Sequence, residues 1–120
     1  MANIGFTERL ARVRQRFITG LESKIDDTYD ALPSLIGDGT EVTDAVAETY
    51  RRIHGITGIA PTVGFADTGR AARNAEVALL LAYRERRGLN EKEIDNFTRA
   101  LHTLRDAAQR ELQATFVGWR

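Results

Sequence analysis

The sequence predicts an all-α fold, an antiparallel up-down four-helix bundle with a long N-terminal helix. Three observations lead to this prediction. Apolar residues recur at helical spacing in four segments, short turns join these segments, and neither alternating strand patterns nor hairpin turn pairs occur. Because the chain has 120 residues and contains no linker, internal repeat or low-complexity tract, we expect a single domain over residues 1–120.

The first helix is predicted from an apolar stripe that is longer than any other in the chain. Pro33 and Gly37 end this helix, and Gly20 is the position at which a bend is expected. The stripe consists of Phe6, Leu10, Val13, Phe17, Leu21, Ile25, Thr28 and Leu32.

The second helix follows the turn Gly37-Asp38-Gly39. Asp38 or Thr40 is expected to cap it, because short oxygen-bearing side chains accept hydrogen bonds from the first free backbone N–H groups of a helix. Its apolar face consists of Val42, Val46, Tyr50, Ile53, Ile56 and Ala60.

The third helix is predicted from about Phe65 to Arg87, with Gly88 as its stop. Arg84, Arg86 and Arg87 suit the negative end of its dipole. Its core stripe consists of Ala72, Ala75, Leu79 and Tyr83. Val77, Leu80 and Leu81 point away from that stripe, so either the first helix overhangs the third or the third meets another chain.

The start of the fourth helix has the clearest sequence signature. Asn90 and Glu93 form a capping-box pattern, and Leu89 with Ile94 forms a hydrophobic staple. The core stripe of this helix consists of Phe97, Leu101, Leu104, Ala108 and Leu112.

Composition excludes several classes of function. The chain has no cysteine, which excludes thiolate zinc sites and disulfides, and its two histidines lack the Glu-x-x-His pattern of di-metal bundles. Seventeen basic residues balance seventeen acidic ones, so we expect no nucleic-acid partner. The longest apolar run, Val77 to Tyr83, is too short to span a bilayer. We therefore expect a cytoplasmic protein without a membrane partner.

His54 is the candidate reactive residue. At about 100° per residue it lies roughly 110° off the apolar stripe of its helix, at or beyond the edge of the core. Gly55 and Gly58 each cost a helix interior about 1 kcal/mol relative to alanine. Gly58 lies one turn after His54 on the same face and leaves the imidazole uncrowded. The competing interpretation is an ordinary surface histidine on a fraying helix end before Pro61.

His102 provides an internal comparison, because it lies off its own stripe by a similar angle. It is followed four residues later by Asp106 and ten residues later by Leu112. A carboxylate at that spacing would repel an anionic group, so we predict that His102 is a solvated surface residue.

The run from His54 to Gly64 resembles the signature of histidine-containing phosphotransfer (HPt) domains, which is approximately H-x-L-K-G with a glycine ten residues after the histidine. Ile56 stands at the leucine position, Thr57 at the lysine position, and Gly58 and Gly64 at the glycine positions. Outside this run, the first helix is similar to that of the family. Glu76 resembles the acidic residue common in the family's third helix.

The resemblance implies an HPt-like bundle that works as a phosphorelay carrier and not as an enzyme. His54 would accept a phosphoryl group on Nε2 and exchange it with the aspartate of a response-regulator receiver domain. A histidine kinase is a second partner that the resemblance allows. The chain would need no cofactor, no metal and no ATP site, because Mg²⁺ is expected on the receiver.

The resemblance also assigns roles around His54. Thr57, Gly58, Gly64 and Arg51 are expected to control access to the imidazole. Arg51, and Arg52 or Arg70, are candidates to substitute electrostatically for the missing lysine. The candidates for receiver binding are Gly55, Ile59, Val63, Phe65, Arg52 and Arg70. Core packing is the rival explanation for the apolar members, and for the neighbouring Ile56 it is the stronger one.

Two alternatives stay open. Because Thr57 replaces the lysine, the chain could be an adaptor or inhibitory bundle that binds a kinase or receiver without being phosphorylated. It could also be the excised phosphotransfer domain of a larger sensor or chemotaxis-type kinase. Incubation with a phosphorylated receiver separates the adaptor from the carrier, since an adaptor acquires no acid-labile phosphate.

Overall fold

The computed structural model describes the backbone of residues 2–118 and the side chains of residues 5–115. Over this range the chain forms four α-helices and no strand, which confirms the all-helical class and is compatible with a helical bundle. The helices are α1 (Ala2–Ala31), α2 (Thr40–Ile59), α3 (Ala66–Glu85) and α4 (Glu91–Gly118). Short 3-10 helices, Leu32–Leu35 and Ala60–Val63, follow α1 and α2.

The core lies where the predicted apolar stripes meet. α3 packs closely against both α2 and α4 because its inner face is lined by small side chains, Ala72, Ala75 and Ala82 among them. Phe17 of α1 and Phe65, just before α3, meet edge to face with ring centroids 5.3 Å apart. Burial of these stripes supplies the main driving force for folding.

The stripe of α1 is only partly buried. From Phe17 to Thr28 its members lie in the core, whereas Phe6 and Val13 are exposed, which corrects the prediction for the first turns. A helix of 30 residues spans about 45 Å, against about 30 Å for the 20 residues of α2 or α3. The first turns of α1 therefore extend beyond the length of α2 and α3.

The outer face of α3 stays uncovered. Val77 and Leu81 are more than half exposed, and no contact joins α1 to α3 among the described residues. Of the two alternatives for this face, the overhang of α1 is therefore wrong, and contact with another chain stays a prediction.

The start of α2 differs from the prediction. Gly39 occupies the N-cap position with φ 102°, in the left-handed region that favours glycine, and no side chain caps the helix. Thr40 is already helical, so neither it nor Asp38 caps α2 as expected. The hydroxyl of Thr43 instead donates to the carbonyl oxygens of Gly39 and Arg86, 3.1 and 3.2 Å away.

The end of α3 also differs from the prediction. The helix stops at Glu85, and Arg86, not Gly88, takes the left-handed conformation with φ 54°. Backbone N–H groups of Arg86 and Arg87 donate to carbonyls of the last turn, as at many helix ends. Gly88 is needed because a Cβ there would collide with the carbonyl oxygen of Gly37.

The starts of α3 and α4 are stabilised in different ways. α4 has the predicted capping box, in which Glu93 N donates to Asn90 Oδ1 (2.8 Å) and Asn90 N donates to Glu93 Oε1 (2.9 Å). α3 has no cap of its own. Glu111, from α4, accepts hydrogen bonds from the backbone N and the hydroxyl of Thr68, each at 2.7 Å.

In residues 2–118 no helix combines the length and the apolar composition that crossing a lipid bilayer requires.

Candidate functional site

His54 projects from the outer side of α2. Val46, Ile53 and Ile56 turn the opposite side of the helix into the core, and the His54 side chain is 65% exposed. Helical spacing accounts for this position, since a residue about 100° from Ile53 cannot share its contacts. The imidazole is therefore accessible to a partner from solvent.

Glu76 of α3 holds one nitrogen of the imidazole. His54 Nδ1 lies 3.0 Å from Glu76 Oε1, and the Glu76 side chain is only 15% exposed. An ionised carboxylate can only accept a hydrogen bond, so Nδ1 carries the proton. In the neutral ring the electron pair then lies on Nε2, which has no hydrogen-bond partner among the described residues.

Two tyrosine rings stack beneath the imidazole. Tyr50 lies nearly parallel to the His54 ring, with centroids 5.9 Å apart, and Tyr83 stacks on Tyr50 at 4.1 Å. Burial, together with the neighbouring carboxylate of Glu76, raises the pKa of Tyr50, which keeps its phenol protonated. The stack and the bond to Glu76 restrict rotation of the imidazole.

Sequence reasoning placed both tyrosines in the core and missed their role in the site. Tyr50 could have been found, because it lies one turn before His54 on the same helix. Tyr83 could not, because its ring reaches the stack only when α3 packs against α2.

The glycines next to His54 leave open space. A Cβ at Gly55 or Gly58 would meet no heavy atom within 4 Å, and neither residue has a positive φ. Neither packing nor backbone conformation therefore requires glycine at these positions. Gly64 differs, because its φ of 89° lies in the left-handed region and its N–H closes the 3-10 helix. Gly64 thus has a role in the turn, and its role in access to the imidazole stays a prediction.

Thr57 stands at the lysine position of the signature, where it is expected to control access to the imidazole. Its hydroxyl donates to the carbonyl oxygen of Ile53, 3.1 Å away in the same helix. The proton of this hydroxyl is thus used within α2, and the position carries no positive charge.

The apolar candidates for docking separate into two groups. Ile59 is 38% exposed and stays a candidate, as does the exposed Gly55. Val63 and Phe65 are buried, at 4% and 1% exposure, so the expectation that their side chains form an accessible patch is wrong. They turn inward because the short 3-10 helix before α3 directs them toward Phe17 and the core. Ile56 is a core residue, which confirms core packing as the explanation for its apolar side chain.

Of the three arginines singled out near His54, two already have acidic partners. Arg52 is largely buried, with Nη2 3.6 Å from Glu48 and a buried Nη1 that lacks a hydrogen-bond partner. Arg70 pairs with Asp67 in the first turn of α3. Arg51 is exposed and has no ionic partner among the described residues, so it alone of the three offers a free guanidinium.

His102 is exposed, as predicted for a surface residue, but its ring is not free. Its Nδ1 lies 2.5 Å from the phenol oxygen of Tyr29, and the two rings tilt against each other. Burial raises the pKa of Tyr29, against the opposing charge of Arg105, so the phenol keeps its proton. A phenol can donate that proton to Nδ1, which leaves the ring proton on Nε2. Nothing comparable to Glu76 holds an electron pair on Nε2 of His102.

Metal ligands are not grouped in this region. Within the described part of the chain, no three His, Asp or Glu side chains come together in an arrangement that could hold a metal ion.

Comparison with known proteins gives no match to a family model, a curated protein or a solved structure. The function is therefore argued from the geometry around His54 and from the residues that resemble the HPt signature.

Proposed function

We propose that the protein is a phosphocarrier in which His54 accepts a phosphoryl group on Nε2 and exchanges it with the aspartate of a receiver domain. One observation carries this proposal. The bond from Nδ1 to Glu76 leaves the electron pair on Nε2, and Nε2 faces solvent beside two glycines that nothing in the fold requires. The nucleophile and the room for a partner's phosphoryl group thus occur together.

The transfer step follows from this geometry. The Nε2 electron pair attacks the phosphorus of the receiver's acyl phosphate. The N–P bond forms while the P–O bond to the aspartate breaks, and the carboxylate leaves with the electron pair of that bond. Positive charge that develops on the ring is stabilised through Nδ1–H by the Glu76 carboxylate, 3.0 Å away. The reverse step returns the group to a receiver, and no water takes part.

An HPt-like antiparallel bundle belongs to the same proposal. Three contacts support it: Thr43 near the start of α2 bonds Arg86 after α3, His54 bonds Glu76 midway, and Thr68 near the start of α3 bonds Glu111 late in α4. Such pairings are expected when sequential helices run in opposite directions.

Phosphotransfer with radiolabelled receivers tests the proposal. A panel of receiver domains is labelled with a small-molecule phosphodonor and incubated with wild type, His54→Gln and His102→Gln. We expect acid-labile label on wild type and on His102→Gln, and none on His54→Gln. Label that persists on His54→Gln, or that is absent from wild type across the panel, would contradict the proposal.

Glu76→Gln examines the positioning role of Glu76. An amide can donate as well as accept, so the tautomer of His54 is no longer held. We expect transfer to slow by about 10²-fold, within the range for loss of one group that stabilises charge in the transition state. The pH dependence of transfer should also change, whereas the circular dichroism spectrum should not. A rate equal to that of wild type would remove Glu76 from the mechanism.

A second candidate function has one observation in its favour. Thr57 replaces the lysine of the HPt signature, and its hydroxyl is bonded to Ile53 within its own helix. An adaptor that binds a receiver without accepting phosphate would tolerate this loss. In the same experiment, an adaptor binds the phosphorylated receiver and acquires no label.

A further inference from the structure

A groove of about 400 Å³ opens between the first half of α2 and the end of α3. Three arginines and one carboxylate line it. The polar and aromatic residues of its wall are Thr43, Asp44, Arg51, Tyr83, Arg84 and Arg86. The groove is continuous with the candidate site, since Arg51 lies one turn before His54 and Tyr83 belongs to the ring stack under the imidazole.

The three arginines of the groove differ from their neighbours in being unpaired. Arg52, Arg70 and Arg87 each lie within ion-pair distance of an acidic side chain. The guanidinium groups of Arg51, Arg84 and Arg86 make no ion pair or hydrogen bond with any described residue. The groove therefore has a local excess of positive charge, three guanidinium groups against the carboxylate of Asp44, in a chain whose net charge is zero.

Arg86 supplies a second, independent observation. It is the one non-glycine residue with a positive φ in the described part of the chain, at a helix end where glycine is the usual residue. Its structural bonds involve the backbone alone: its N–H donates to Tyr83, and its carbonyl accepts from the Thr43 hydroxyl. An arginine here therefore accepts backbone strain and adds to the structure only a charged side chain at the groove.

We infer that this groove binds carboxylate side chains of the receiver partner, in the form of an acidic segment that lies next to the phosphorylated histidine. The identity of the partner rests on the proposed function. Guanidinium groups bind carboxylates through paired N–H donors, and the ring of Tyr83 with the methyl group of Ala47 gives the segment an apolar floor. An inorganic anion has no apolar atoms that could pack on this floor, whereas a peptide segment has them.

NMR titration with a deca-glutamate peptide tests the inference. Amide shifts are followed in wild type and in the double variant Arg84→Gln/Arg86→Asn, in which asparagine keeps the left-handed conformation accessible. We expect shifts confined to the walls of the groove on α2 and α3, and a Kd at least tenfold higher in the double variant. Arg99→Gln is the matched control, because α4 contributes no residue to the groove.

Further arms separate this inference from the proposed function. The titration is repeated on His54→Gln, which cannot be phosphorylated at that residue but keeps the groove, and we expect unchanged peptide binding. Receiver domains that pass label to the protein should bind the double variant at least tenfold more weakly.

Three results would overturn the inference. The first is that the peptide shifts amides near arginines outside the groove. The second is equal peptide affinity of Arg84→Gln/Arg86→Asn and Arg99→Gln. The third is that inorganic phosphate saturates the same amide shifts at a lower concentration than the peptide does. Label transfer with no peptide binding would leave the proposed function standing and remove the groove from it. Peptide binding without label transfer would leave the groove as a carboxylate-binding site and contradict the proposed function.

A stability measurement adds a check on Arg86. Arg86→Gly relieves the strain at its positive φ, so we expect a higher thermal midpoint together with weaker peptide binding. A lower thermal midpoint would mean that the arginine side chain stabilises the helix end, which would contradict its assignment to binding.

Discussion

At the scale of single residues, the partner of Nδ1 distinguishes the two histidines. Both rings are exposed on helices, and both have a hydrogen-bonding neighbour on another helix. Glu76 can only accept, whereas the phenol of Tyr29 can donate. Hence His54 presents an electron pair on Nε2 to solvent, and His102 is not held in that state.

Gly58→Ala gives a residue-scale prediction that separates access from stability. Gly58 has an ordinary helical φ, and its added Cβ would touch nothing within 4 Å. We expect alanine to raise the free energy of unfolding by up to about 1 kcal/mol, measured by urea denaturation. If a receiver must approach over Gly58, the rate of label transfer should fall in the same variant, and fall further in Gly58→Leu.

Gly20→Ala is the matched control for this prediction. Gly20 lies in the interior of α1, where a Cβ would make only an ordinary contact with Lys24 at 3.9 Å. It should raise stability by a similar amount and leave label transfer unchanged. Equal transfer rates for Gly58→Leu and wild type would show that the glycine has no part in access.

At the scale of elements, the start of α3 depends on another helix. Phe65 occupies the N-cap position and cannot accept a hydrogen bond through its side chain. The Glu111 carboxylate accepts from Thr68 N and Oγ1, and from the backbone N of Asp67 at 3.3 Å. A negative charge at the positive end of the α3 dipole adds to these bonds.

We expect Glu111→Ala to lower the free energy of unfolding by about 1–2 kcal/mol, as for loss of a helix cap. Chemical denaturation measures the change. Gln113→Ala, an exposed change two residues further along α4, should stay within about 0.5 kcal/mol of wild type. Equal losses in the two variants would mean that the carboxylate does not act as a cap for α3.

At the scale of the whole molecule, we expect the junction between α3 and α4 to contribute to acid stability. Arg87 donates to both carboxylate oxygens of Glu93, at 2.7 and 3.0 Å, and to the carbonyl of Gly88. These bonds, opposed by partial burial, lower the pKa of Glu93, and they raise the pKa of Arg87 above its usual value. The junction therefore holds a charged pair at neutral pH.

The lowered pKa of Glu93 gives the sign of the pH dependence. Because the folded state holds the ionised form more strongly than the unfolded state does, the contribution is complete above the unfolded pKa of about 4.3. It is lost as the pH falls through the lower pKa of the folded state. We expect the stability difference between wild type and Glu93→Gln to shrink below about pH 4.3, measured by denaturation at several pH values. A constant difference from pH 7 to pH 2 would contradict this assignment.

The two candidate surfaces lie side by side on the α2 and α3 face of the molecule. Tyr83 belongs both to the ring stack under His54 and to the wall of the groove. A partner that brings a phosphoryl group to His54 would thus lie next to Arg51 and Arg84. Under the inference, Arg84 and Arg86, which the sequence assigned only to the dipole of α3, would also bind the partner.

Local patterns in the sequence determined the four helices, the capping box of α4 and the outward position of His54. Each depends on residues at most about one turn apart, and the spacing of such residues can be read directly from the sequence. Gly88 departed from its expected role as a helix stop because it lies in close contact with Gly37 of another turn, whereas Gly39 and Arg86 take positive φ values next to helix ends.

Only the tertiary structure decided the remaining features of the site. Glu76 was suggested by family resemblance, but its bond to His54 joins residues 22 positions apart. The cap of α3 joins residues 43 positions apart. The burial of Val63 and Phe65 and the groove of unpaired arginines likewise depend on which helix faces come together. Periodicity states which side of a helix is apolar, and packing decides what that side and its borders meet.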